Sequence, residues 1–274
     1  MFLFLKFQGL FMDGDSSTFL FNLCHRFKMA TESKYLALEL FDSFMLQHIE
    51  DLYNHVLKSG SKVSKMKKDW LAIQERIKSQ IHLRMVSCCQ IASKVTSHYR
   101  IVSVHKAKQF LIDAGYRYTS NSILQSELRI LKTLNYQTSV PSVLTYVETI
   151  LEVLGHNEPG TEVKVYHSVA LKVLDIVYMR YKEIYKRLLQ VTTQQHTPSS
   201  DMRKKFTAVQ LDKMLLSVCV ITASVYITDQ LSADKVIEQL NIITQVPCED
   251  ILDLATVIIE LVMENFVSFS STKH

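Results

Sequence analysis

The sequence predicts an all-α protein: two tandem five-helix folds, each built around a buried central helix. Three observations carry this. First, 6 Gly and 4 Pro in 274 residues are too few for the tight turns of a strand-rich fold. Second, Ile81–Val95 reads IHLRMVSCCQIASKV. Its apolar residues Ile81, Leu83, Met85, Val86, Cys88, Cys89, Ile91, Ala92 and Val95 leave no wide polar face at about 100° per residue. A helix apolar nearly all round belongs inside a bundle. Third, the chain repeats. A shift of 131 residues carries Ala92-Ser93 onto Ala223-Ser224 and Cys88 onto Cys219, and superposes five helices of each half in order.

The elements follow in sequence. Helix 1 is expected over Ser17–Met29, carrying Phe19, Leu20, Leu23 and Phe27. Helix 2 runs from Glu32 to Leu57 with Thr31 as N-cap; Leu36, Leu40, Phe44 and Ile49 belong to its apolar side. Lys58–Lys68 reads as a basic loop, and Trp70–Ile77 leads into the hub helix. Ser103 caps helix 4, with Ala107, Phe110, Leu111 and Ala114 on one side and Gly115 at a left-handed exit. Ser122 and Gln125 form a capping-box pattern for helix 5, whose expected stripe is Leu124, Leu128, Leu131 and Leu134, with Asn135 at its exit. Pro141 suits the first turn of the next helix, which ends near Gly155. Helices follow over Glu162–Tyr178 with an extension to Leu189, then Phe206–Thr228, Ser232–Gln245 and Pro247–Phe266. A polar loop, Gln194–Arg203, lies among them. The domain reading is an N-terminal extension over 1–16, a first fold over 17–138, a second over 139–267, and a tail over 268–274.

Composition narrows the function classes. The chain is 47% hydrophobic and 21% charged, ordinary for a globular protein with a real core. A net charge of +4 is far from the footprint of a protein that lives on nucleic acid. Neither GxGxxG nor GxxxxGK[ST] occurs, so no phosphate-cradling loop is expected. Five cysteines without a CxxC pair read as reduced core thiols of a cytosolic or nuclear protein. The start MFLFLKFQGLF resembles a signal peptide, but Lys6 and Gln8 break the apolar run and no small-residue cleavage site follows. Helix 1 of a soluble domain, or an extension from an imperfect gene model, fits it better. No run of about 18 apolar residues exists, so no membrane span is expected. The spacings His48/His55 and His98/His105 make no tight metal pair, and neither a metal nor any other cofactor is expected. No Ser-His-Asp, Cys-His or paired-carboxylate arrangement is recognisable, so no catalytic residues are assigned.

Specific residues carry a family resemblance. LALELFDSFM (Leu36–Met45) resembles cyclin helix 2, with Asp42 in the place of its aspartate. VSCCQIASK (Val86–Lys94) resembles cyclin helix 3, ending in the Ala92-Ser93-Lys94 triplet. SELRILKTLNYQTSVPSVLTYVETIL (Ser126–Leu151) resembles helix 5 and the Pro141 entry to the second fold. The likeness covers about Ser17 to Phe266 and implies two tandem cyclin folds. Its nearest branch is associated with meiotic crossover maturation in the nucleus.

The resemblance implies a regulatory subunit without catalytic activity. Its partner would be a cyclin-dependent-kinase-like protein kinase, with meiotic recombination proteins as further partners. Cyclins present a helix 3 lysine and a helix 5 glutamate to kinase backbone groups; by position these are Lys94 and Glu127. An ammonium donates and a carboxylate accepts, so the pair suits backbone recognition. Lys94 maps onto Val225 and Glu127 onto Ile258 in the second copy, so the charges are not needed to make the fold. One departure is the missing MRxIL stretch: Met12 is followed by Asp13, the nearest arginine is Arg26, and Asp42 is left without its usual partner. The bland readings are a lysine favoured by the helix dipole and an acid at a solvated boundary. The alternatives are a non-activating scaffold for recombination proteins and a nucleic-acid-binding module like the tandem fold of transcription factor IIB. Lys58, Lys62, Lys65, Lys67 and Lys68, or Arg203-Lys204-Lys205, are the candidate basic contacts for the latter. Direct nucleic-acid binding is the weaker expectation, since a solvated charged loop is the usual outcome. No small-molecule substrate and no membrane partner is expected. The resemblance places the protein in the nucleus, at meiotic chromosomes, with the cytoplasm as a further compartment.

Overall fold

A computed structural model describes residues 11, 14–58, 63–97, 99–139, 141–193 and 200–271. Among these residues there is no strand. Twelve α-helices follow one another: α1 Gly14–Arg26, α2 Thr31–Lys58, α3 Val63–Thr96, α4 Val104–Asp113, α5 Ser120–Thr133 and α6 Val143–Asn157. Then come α7 Val163–Met179, α8 Tyr181–Thr193, α9 Ser200–Leu211, α10 Lys213–Thr228, α11 Ala233–Thr244 and α12 Cys248–Ser271. The described residues divide into two compact units, Phe11 with 16–139 and Gly14–Asp15 with 141–271. The expected basic contact Lys62, His98, most of the N-terminal extension and residues 272–274 of the tail lie outside the described residues.

Each unit has a hub. Every residue of α3 from Leu83 to Ser93 is buried, and α3 packs on α2, α4 and α5. Every residue of α10 from Leu215 to Val225 is buried, and α10 packs on α6, α7, α11 and α12. The two hubs correspond under the 131-residue shift, which also carries α1 onto α6, α2 onto α7 and α8, α4 onto α11 and α5 onto α12. A polar side chain inside such a rod must find its partner at short range. Ser87, Ser217, Thr222 and Ser224 do so by donating to backbone carbonyls four residues back.

Local chemistry sets several boundaries. The Ser103 hydroxyl accepts the Lys106 amide and starts α4, and Gly115 leaves it at φ 86. Asn135 and Tyr136 follow α5 at φ 50 and 60. Asp212 caps α10 by accepting the Leu215 amide at 2.9 Å, which splits the expected Phe206–Thr228 helix in two. Arg180 ends α7 as its C-cap, its backbone N–H donating to the Ile176 carbonyl, and α8 begins at Tyr181.

Four expectations need correction. The basic segment is not a loop throughout: Lys65, Lys67 and Lys68 lie exposed on the first turns of α3, a single helix of 34 residues. The polar segment after α8 is helical from Ser200. Pro141 is not in a first helical turn. It precedes Ser142, whose hydroxyl accepts the Thr145 amide and caps α6. The capping box at Ser122 is displaced: Thr119 caps α5 and Ser122 supplies the amide. All five cysteines are free; Cys24, Cys88, Cys89 and Cys219 are buried and Cys248 is half-buried. Burial pushes the Cys88 and Cys219 thiols far above the ordinary thiol range, which keeps them inert.

Candidate partner-docking site

The site begins with the C-terminal turn of α3. Ala92 is fully buried, and no larger side chain is accommodated there without displacing the core. Ser93 is also fully buried; it donates to the Gln90 carbonyl at 2.8 Å and accepts the Val102 amide at 2.9 Å. That second bond fixes the chain as it leaves α3 for α4. The next residue, Lys94, is thereby turned outward at the rim of the hub. Its position in the last turn also suits the negative end of the helix dipole.

Helix α5 supplies the acid. Its buried positions are Ile123, Ser126, Glu127 and Ile130, while Leu124 is 47% exposed. The Leu124–Leu128–Leu131 stripe read from the sequence is therefore rotated by about one residue from the true inner face. Glu127 does not sit at a solvated boundary; its side chain is 10% exposed. The Lys94 ammonium reaches its Oε1 at 2.5 Å, and the lysine side chain remains 43% exposed. Two residues 33 positions apart thus form one pair, open to solvent on the lysine side. At the corresponding places in the second unit Val225 and Ile258 are buried apolar residues.

No family model matches the chain. Cyclin N-terminal domain-containing protein 1 of Mus musculus is 36% identical over 255 residues, covering 92% of this chain and 75% of that protein. The Homo sapiens protein of the same name is 32% identical over 251 residues, covering 92% and 76%. The chain belongs to the cyclin N-terminal domain-containing protein 1 family. Its all-α architecture is that of a cyclin-domain protein.

Asp42, the helix 2 aspartate of the cyclin-domain likeness, is fully buried. Its Oδ1 accepts the Phe11 amide at 2.9 Å. The Phe11 ring meets Phe41 edge-on at 6.5 Å.

The structure adds a buried network that sequence reading passed over. Arg84 is 7% exposed in the apolar stretch of α3 and donates to Ser126 Oγ at 2.7 Å and Gln80 Oε1 at 2.9 Å. Ser87 donates to the same Ser126 oxygen at 2.9 Å. The guanidinium lies 5.7 Å from the Phe44 ring centre, and His48 stacks on the same ring at 5.0 Å. Burial, then the charge of Arg129, brings the Arg84 pKa down to about 10. Burial, followed by Arg84 and Arg129, holds His48 at about 4, so its imidazole is neutral at physiological pH. Ser126 precedes Glu127, so this network fixes the rotation of α5 that turns the acid toward Lys94. A lone arginine inside an otherwise apolar hub was the signal available in the sequence. Among the described residues, no group of His, Cys, Asp and Glu side chains is arranged to hold a metal ion. No described helix is long and apolar enough to cross a membrane.

Proposed function

We propose that this cyclin-family chain is a regulatory subunit, with no catalytic step of its own, that docks a cyclin-dependent-kinase-like partner through α3 and α5 of its first unit. Lys94 donates to, and Glu127 accepts from, backbone groups beside the mobile regulatory helix of the kinase. Rigid helices then hold that helix in its active position, a population shift driven by contacts made only in the active state. The observation that supports this most is the Lys94–Glu127 pair at the rim of one hub and the buried Val225 and Ile258 at the other. A charge pair that the sister unit folds without is free to serve an external surface.

The resemblance to the crossover-maturation branch supports a nuclear role at meiotic chromosomes, alongside recombination proteins. The test is mass spectrometry of what co-purifies with the chain from germline nuclei, comparing wild type with Lys94→Glu. Loss of a protein kinase from the variant, with the circular dichroism unchanged, is the expected result. Retention of the same kinase refutes the docking role.

One observation favours a second reading, a scaffold that activates no kinase: the two charges already satisfy each other within the chain. On that reading the pair staples α3 to α5, and recombination proteins co-purify without stimulated kinase activity. Kinase assay of the purified complex separates the two. The exposed Lys65, Lys67 and Lys68 on α3 are the place to test for nucleic acid; binding there would fall steeply with salt.

A further inference from the structure

The second unit contains a cavity of about 350 Å³ where the α6–α7 loop meets the α10–α11 turn. That is within the usual size range of ligand pockets, about 300–1,000 Å³. Its wall carries Glu158, Glu162, Tyr166, Asp229 and Lys235. Lys235 is paired with Glu158 at 2.6 Å, so Glu162 and Asp229 are the carboxylates left uncompensated.

Glu162 stands at a helix N-cap and Asp229 at the end of α10, and neither makes a side-chain capping bond. Glu162 precedes α7 and makes no side-chain capping bond. Asp229 precedes the 3-10 turn Gln230–Ser232 and also makes none; its Oδ2 accepts the Ser232 hydroxyl at 2.5 Å. A second observation comes from Tyr166. It is 4% exposed and lines the cavity, and its hydroxyl has no hydrogen-bond partner among the described residues. Glu162 and Asp229 line the same cavity as this phenol, and burial, then the charges of Asp229 and Glu162, push its pKa up. Helices α6 and α10 both end here, at Glu158 and Asp229, and their terminal carbonyls add negative partial charge.

The geometry points to a recognition site for a guanidinium group, an arginine side chain presented by a partner chain and held by Glu162, Asp229 and Tyr166 in the wall of one cavity. A guanidinium offers five N–H donors in a fixed planar fork, which serves acceptors on two separate elements better than a compact ammonium does. A metal ion is a poorer occupant, because the described residues include no ligating cluster and the space exceeds a coordination shell. The site lies wholly in the second unit and does not depend on the kinase-docking reading of the first.

The experiment titrates N-acetyl-arginine methylamide into the full chain and follows amide shifts, including those of Gly160 and Thr161. The expected result is saturable binding in the millimolar range. Glu162→Gln and Asp229→Asn each weaken it about tenfold, and Tyr166→Phe weakens it roughly fivefold. N-acetyl-lysine methylamide binds more weakly than the arginine compound. Absence of saturation, unchanged binding in the Glu162→Gln/Asp229→Asn double variant, equal binding of the lysine compound, or displacement by magnesium would each overturn the proposal. Should Tyr166→Phe lose its fold by circular dichroism, the two carboxylate variants decide the matter alone.

Discussion

The Lys94–Glu127 pair makes an asymmetric prediction about stability. Lys94→Met keeps the apolar stem and removes the cation. It leaves a carboxylate that is nine-tenths covered without its charge partner. Stranding a covered acceptor costs about 1–3 kcal/mol. Glu127→Gln keeps an acceptor oxygen and leaves a lysine whose side chain is 43% exposed and readily hydrated. That loss resembles a surface ion pair, about 0–1 kcal/mol. The chain has one tryptophan, Trp70, and it lies on α3, so its fluorescence reports the first unit. With a urea m-value of about 2 kcal/mol/M, Lys94→Met lowers the midpoint of that transition by roughly 0.5–1.5 M. Glu127→Gln lowers it by less than about 0.5 M. Equal shifts, or a larger shift for Glu127→Gln, would show that the carboxylate is not the desolvated member and that the rotation assigned to α5 is wrong.

Three further outcomes follow from the same structure. Ser126→Ala takes the shared oxygen from Arg84 and Ser87, and lowers first-unit stability by about 1.5–3 kcal/mol, read from the same Trp70 transition. Asp212→Ala removes the α10 cap and costs about 1 kcal/mol in thermal or urea unfolding followed by circular dichroism. His48 is held at about 4 against an unperturbed 6.5, so above pH 6.5 it is neutral in both states and contributes no slope. As pH falls from 6.5 toward 4 the unfolded chain takes up the proton and the folded one does not, so stability declines across that window. Measured against pH, the urea midpoint of His48→Phe lacks this part of the decline; an unchanged profile would contradict the placement of His48 against Arg84.

Much of the architecture was legible because helices are written in local rules. The apolar circumference of Ile81–Val95 announced a hub, and Leu83 to Ser93 are buried without a gap. Ser103, Gly115 and Asn135 marked ends that depend on one residue's cap or φ angle. The 131-residue shift recovered the order of helices in both halves, since spacing between elements survives where side chains diverge. Misreadings arose where two local solutions compete. α5 carries two adjacent stripes, Ile123–Glu127–Ile130 and Leu124–Leu128–Leu131, and period alone does not choose between neighbouring faces. Asp212 and Thr119 were overlooked as caps because apolar or polar periodicity runs on through them.

The sequence by itself determined the helical class, the buried course of the hub helix, and an acid and a cation whose counterparts 131 positions on are apolar. Tertiary structure decided what those charges meet. Arg84, locked by Ser126 across α3 and α5, sets the rotation that brings Glu127 to Lys94, and the Phe11 amide donates to Asp42. Glu162, Tyr166 and Asp229 share a cavity although 67 positions separate the first from the last, which only the return of α10 beside α7 explains. The physical reason is range: a helix depends on neighbours three and four residues away, whereas a polar side chain depends on whatever distant segment folding brings within hydrogen-bond reach.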